Sequence, residues 1–205
     1  MPRLLIVYQH LPHYRHDVFQ ALEETPGWGV DFAAGTSTRD PGIETDDHAS
    51  LRRAHLLRNI WIGPFLWQQG LLKLIREDWD HVVFLGDYGY LSTWVAAAMC
   101  RIRHLPVAFW TIGWHRREAG FRRRVRLTFY RLANRLLLYG EDGCRIGIQM
   151  GYPAARMSVV HNSSSEAPIR LEEDEGRLAE VGAALDAVAH PAVGAVIRLT
   201  PRKRL

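Results

Sequence analysis

The chain has 205 residues, 47% of them hydrophobic and 23% charged, with a formal net charge of +4. That balance excludes a disordered chain and leaves enough length to bury a core without disulfide or metal staples. Two cysteines, Cys100 and Cys144, exclude a disulfide scaffold and predict buried thiols in a reducing compartment. No apolar run approaches a membrane span, and residues 4–8 are too few for the core of a signal peptide, so a cytoplasmic chain is expected.

Short apolar runs alternate with helix-length amphipathic segments, the pattern of a parallel α/β sheet. Strands are predicted at 4–8, 30–34, 55–60, 81–85, 106–111, 135–139 and 157–161. Val18, Phe19 and Leu22 give a first helix its apolar face, and Leu71, Ile75 and Trp79 give a second. Leu91, Trp94, Val95, Ala98, Met99 and Ile102 recur at spacings of three and four and predict the buried stripe of a third helix. Phe121, Val125, Phe129 and Leu132 do the same for a fourth, with arginines on its other side. Residues 36–50 are polar and aperiodic and read as a long loop. After Asn162 come a serine run, the acidic residues Glu172 to Glu175, and a helix with Leu178, Val181, Leu185 and Val188 inward. A last apolar strand is expected at 193–197. The predicted organisation is therefore a doubly wound, Rossmann-like domain over 1–165, a linker and helix over 166–192, and the start of a second domain over 193–205.

The charge is unevenly spread. Residues 101–135 hold ten arginines and one acid, Glu118, a local balance of +9 that leaves −5 for the rest of the chain. A basic block on a mildly acidic protein points to an anionic surface or ligand. Trp61, Phe65 and Trp67 around Gly63-Pro64 could insert at a membrane interface, or belong to the core. Base stacking would need aromatics on the arginine face; Phe121 and Phe129 are expected on the core stripe, which argues against specific nucleic-acid binding.

Several fingerprints are missing. No G-x-G-x-x-G follows the first strand, neither lysine sits in a P-loop, and no G-x-S-x-G is present. His10, His13 and His16 recur every third residue, but Pro12 interrupts any helix there and the spacing does not make a metal set. In open parallel sheets, ligands bind outside the carboxyl ends of strands. Three such ends carry polar residues, two of them together with glycine. His13 and Arg15 follow the first strand, Gly86-Asp87-Tyr88-Gly89 follows the fourth, and Gly113-Trp114-His115 follows the next. Asp87 also suits a helix cap. Arg198 and Lys203, on a loop directly after a strand, can close on a diphosphate from two sides.

Together these stretches resemble the retaining GT-B glycosyltransferases of the glycosyltransferase family 4-like type. The carrying residues are 11–19, Gly86-Asp87-Tyr88, 109–115, Val159-Val160-His161-Asn162-Ser163 and Arg198-Leu199-Thr200-Pro201-Arg202-Lys203. The resemblance covers 4–165 as the acceptor-side domain and resumes at 193–205. It implies transfer of a hexosyl group from a nucleotide diphosphate-sugar to a sugar, lipid-linked or protein-linked hydroxyl, with retention and without a metal or other cofactor. It places Arg198 and Lys203 on the donor diphosphate, with Ile197 standing where the family has glycine. It places His115 in acceptor-side chemistry, and His13, Arg15, Asp87, Tyr88 and Asn162 around the acceptor. The family's donor-site acidic motif has no counterpart before Leu205, so a truncated copy is expected, inactive unless a separately encoded donor domain completes it. The alternatives are a non-catalytic remnant or partner subunit, or a basic module for nucleic acid or for the inner face of the cell membrane.

Overall fold

The computed structural model describes residues 1–38 and 51–162. Most of the loop expected at 36–50 lies outside the described residues. So do the acidic run, helix and strand expected after Asn162, the divisions at 166–192 and 193–205, and Arg198 and Lys203.

All seven strands predicted within the described residues form, and an eighth joins them. They are β1 (Arg3–Tyr8), β2 (Gly29–Gly35), β3 (Ala54–Ile62), β4 (Phe65–Gln69), β5 (His81–Leu85), β6 (Val107–Thr111), β7 (Arg135–Leu138) and β8 (Met157–Val159). One sheet runs in the order β4-β3-β2-β1-β5-β6-β7-β8. Every pairing is parallel except that of β3 with β4. The order reverses between β1 and β5, the doubly wound arrangement expected. β4 was missed although its signal is visible: two apolar runs flank Gly63-Pro64, and Ile62 pairs with Phe65 across that two-residue loop.

The helices are α1 (His16–Glu23), α2 (Leu71–Leu74), α3 (Leu91–Ile102), α4 (Gly120–Tyr130) and α5 (Glu141–Gln149). α1 closes one sheet face, where Phe19 packs on Tyr8 and Phe32. On the other face, Phe84, Phe109, Leu136 and Leu138 meet residues of α2, α3 and α4. Phe129 of α4 lies between Phe109 and Trp94, with ring centroids 4.5 and 4.9 Å away. Such aromatic contacts contribute roughly 0.5–1.5 kcal/mol each beyond area burial.

Three helical expectations need correction. α3 forms, but it buries Ser92, Thr93, Ala96, Ala97 and Cys100 and leaves Leu91, Val95 and Ile102 exposed. Trp94 and Met99 of the expected stripe do pack against the core, but the small side chains let the helix lie close to the sheet and leave Leu91, Val95 and Ile102 outside. In α4, Phe129 is buried but Phe121 is 80% exposed, because the buried face runs through Leu127, Phe129 and Tyr130. The second helix stops after Leu74, although Leu71, Ile75 and Trp79 are all buried as expected. The Trp79 indole Nε1 donates to the Leu74 carbonyl at 2.8 Å, which also accepts the Glu77 amide at 3.1 Å, so the chain turns back at the helix end. Of the two thiols, Cys100 is buried and Cys144 only half-buried.

Candidate functional site

The carboxyl ends of β5, β6 and β7 open onto a cleft of about 400 Å³. Its walls come from the loops after those strands and from α4; they include Asp87, Tyr88, Tyr90, His115, Arg126 and Tyr139. Asp87 is exposed, and its carboxylate accepts the Gly89 amide at 2.8 Å, bending the chain into α3. His115 is exposed on the loop after β6.

The floor is a hydrogen-bonded chain. Thr111 Oγ1 donates to the Gly86 carbonyl at 2.8 Å and lies 3.2 Å from Tyr130 Oη, which donates to the Gly113 carbonyl at 3.1 Å. Gly113 holds φ +78°, a region costly for a side chain with a Cβ, and a Cβ there would come within 2.9 Å of Leu138. The Arg126 guanidinium is fixed on three sides. It donates to both Glu118 oxygens at 2.8 and 2.7 Å, to the Gly113 carbonyl at 3.1 Å, and lies 4.7 Å over the Tyr88 ring. Burial opposes its charge, but the Glu118 carboxylate and Tyr130 more than offset this and raise its pKa. Burial likewise raises the Tyr90, Tyr130 and Tyr139 hydroxyls, so all three stay protonated near neutrality. The floor thus offers neutral hydroxyls and a committed cation, while Asp87 and His115 stand exposed at its rim.

Beneath one wall lies Arg15. The expectation that it faces the cleft is corrected: it is 2% exposed. Its guanidinium sits 4.8 Å from the Trp110 ring and 5.2 Å from Tyr139, donates to Tyr8 Oη at 3.0 Å and donates to Asn162 Oδ1. These partners are neutral, so cation–π attraction and two hydrogen bonds offset its desolvation. Arg15 and Asn162 therefore tie the ends of β1, β6, β7 and β8 together under Trp110 and Tyr139. His13 is exposed on the turn before α1, against Tyr14, and is not part of the cleft wall.

Of the residues singled out from sequence, the structure brings Asp87, Tyr88 and His115 together and places Arg15 and Asn162 one layer below. Arg126, Tyr130 and Tyr139 were missed. Arg126 had one available signal: Glu118 is the only acid among ten arginines over 101–135, and a lone acid in such a block selects a partner. The tyrosines gave no signal, because strand and helix periodicity does not report which residue reaches a strand end.

No protein-family model matches the chain, and neither does any curated protein. Solved structures do. The S. aureus MnaA–UDP co-structure aligns with 78% of this chain and 44% of its own length, at TM-score 0.51 and 13% identity. The apo form of the lipopolysaccharide outer core galactosyltransferase WaaB aligns over 80% of this chain and 46% of its own, at TM-score 0.51 and 14% identity. The UDP-GlcNAc 2-epimerase from Methanocaldococcus jannaschii aligns over 79% and 46%, at TM-score 0.49 and 16% identity. At such identities the likeness is one of fold: the described residues have the Rossmann-like architecture of one half of a GT-B enzyme. The chain spans less than half the length of these structures.

Proposed function

We propose that the chain supplies the acceptor side of a glycosyltransferase that moves a hexosyl group from a nucleotide diphosphate-sugar to a hydroxyl, with retention. The observation that carries this reading is the cleft, where an exposed carboxylate and an exposed imidazole stand above protonated tyrosines at the carboxyl ends of parallel strands. In that reaction the bond from the anomeric carbon to the diphosphate oxygen breaks. A bond to the acceptor oxygen forms on the same face, and the acceptor hydroxyl loses its proton. Asp87 would orient the acceptor by accepting its hydroxyls, and His115 would take up the proton. Tyr88, held flat by Arg126, gives a sugar ring an apolar face to lie on. Arg198 and Lys203 would neutralise the leaving diphosphate in place of a metal. The fold likeness to WaaB and to the UDP-bound MnaA supports this choice of chemistry over a dinucleotide or P-loop enzyme.

The test is product analysis with uridine- and guanosine-diphosphate sugars and a panel of glycoside acceptors, using the chain alone and the chain joined to a donor domain. Transfer that disappears in His115→Ala, while nucleotide-sugar binding persists, supports the reading. Isomerisation of the nucleotide-sugar with no acceptor consumed overturns it, as does transfer unaffected by either Asp87→Asn or His115→Ala.

A further inference from the structure

α3 and α4 cover the same face of the sheet and meet at the Trp94–Phe129 contact, with ring centroids 4.9 Å apart. Their outward stripes are opposite in character. On α3 the stripe is Leu91, Val95 and Ile102, exposed at 36%, 41% and 79%. On α4 it begins with Phe121, 80% exposed, and continues through Arg124 to Arg131 at the helix's C-terminal cap, both exposed. These positions are spaced by three, four or seven residues, so each set falls on one face. Neither stripe is what a water-facing helix requires. An outward face normally carries polar and charged residues, and here one helix presents aliphatic side chains while the other presents cations that no carboxylate among the described residues pairs. Glu118, the only acid over 101–135, is committed to Arg126 and cannot neutralise them.

We infer that the outer faces of α3 and α4 form a docking surface for an anionic lipid bilayer. The chemistry is complementary at both levels. The α3 aliphatic groups and Phe121 enter the boundary between headgroups and acyl chains, while Arg124 and Arg131 meet lipid phosphates from the flank. Among the described residues no helix is long and apolar enough to cross a membrane, and the contact proposed is with the bilayer surface. The hairpin around Gly63-Pro64 adjoins this surface: the Leu66 amide donates to the Gly89 carbonyl at 3.0 Å, just before α3. Phe65 is 41% exposed there. Single-stranded nucleic acid is the weaker match. It needs a row of exposed rings among the arginines, and Phe129, the second aromatic candidate on α4, is buried. The inference is independent of the catalytic proposal and is tested without activity.

The test is co-sedimentation of the 205-residue chain with vesicles of phosphatidylcholine alone or mixed with phosphatidylglycerol, over a range of sodium chloride concentrations. Binding is expected only to the anionic vesicles and to weaken as salt rises. Arg124→Glu/Arg131→Glu should reduce it by at least about tenfold, and Phe121→Ser by about fivefold, at positions whose exposure leaves the fold intact. Arg52→Glu/Arg58→Glu makes the same charge change at exposed positions on or beside β3 and should leave binding unchanged. Equal binding to neutral vesicles, binding to neither, or equal losses in both double variants overturns the inference. Displacement from anionic vesicles by an equimolar single-stranded oligonucleotide overturns it in favour of nucleic acid.

Discussion

Replacing Gly143 by alanine tests how the cleft loop is held. Gly143 and Gly147 lie one turn apart on α5, facing the loop after β6. A Cβ at Gly143 would stand 2.5 Å from the Ile112 carbonyl oxygen, and one at Gly147 would stand 2.5 Å from the Trp114 ring. Ordinary van der Waals contact begins near 3.4 Å, so α5 or the loop must move by almost 1 Å. The carbonyl belongs to the backbone and cannot rotate away as a side chain would. Overpacking of this kind costs about 1–3 kcal/mol, and the upper end applies here. Alanine in a helix interior returns roughly 1 kcal/mol of propensity relative to glycine. The net loss is about 2 kcal/mol, which for a chain of this size lowers Tm by roughly 4–8 °C. Thermal and urea unfolding followed by circular dichroism would read it. Gly147→Ala should cost a similar amount. The double variant should cost less than the sum, because one outward shift of α5 relieves both clashes. A Gly143→Ala protein as stable as the parent, or more stable, would show that propensity prevails and that α5 does not hold the loop.

Arg126→Ala should destabilise the chain by about 3 kcal/mol, since it leaves a largely buried Glu118 carboxylate without its cation. In a double-mutant cycle, Glu118→Gln should recover part of that loss, whereas strict additivity would mean the pair is not coupled. Alkaline titration should show the sign expected for raised tyrosine pKa values. Tyr8, Tyr90, Tyr130, Tyr139 and Tyr152 all hold their protons more tightly in the folded chain, chiefly through burial. Stability from this source is complete below the unfolded tyrosine pKa near 10 and falls as pH rises above it. Tyrosinate absorbance from these five should therefore appear together with loss of the far-ultraviolet signal, and reversible ionisation in the folded protein would contradict it. At pH 8, Cys100, whose thiol burial pushes up to about 11, should resist alkylation in the native state.

The sequence by itself determined the class of fold. Runs such as Leu4-Leu5-Ile6-Val7-Tyr8 and His81-Val82-Val83-Phe84-Leu85, separated by amphipathic segments, bury well only as parallel strands under crossover helices. It also put Asp87, Tyr88 and His115 at one cleft, because glycines with polar residues after successive strands fall at the same sheet edge. It did not reveal α5. Gly143 and Gly147 weaken a helix locally and are explained only by what they touch, the Ile112 carbonyl and the Trp114 ring. Nor did it give the whole inward face of α3, although Trp94 and Met99 of the expected stripe do pack on the core. Hydrophobicity selects Leu91, Val95 and Ile102, but close approach to the sheet selects Ser92, Ala96 and Cys100, and tertiary packing decided between them. Arg15 shows the same limit from the opposite side. A charged residue at a strand end reads as exposed until Tyr8, Trp110 and Tyr139, distant in sequence, close around it and offer π-faces and a hydroxyl in place of water. Periodicity records which residues favour burial, whereas the partners that make burial of a charge or a glycine favourable exist only once the chain has folded.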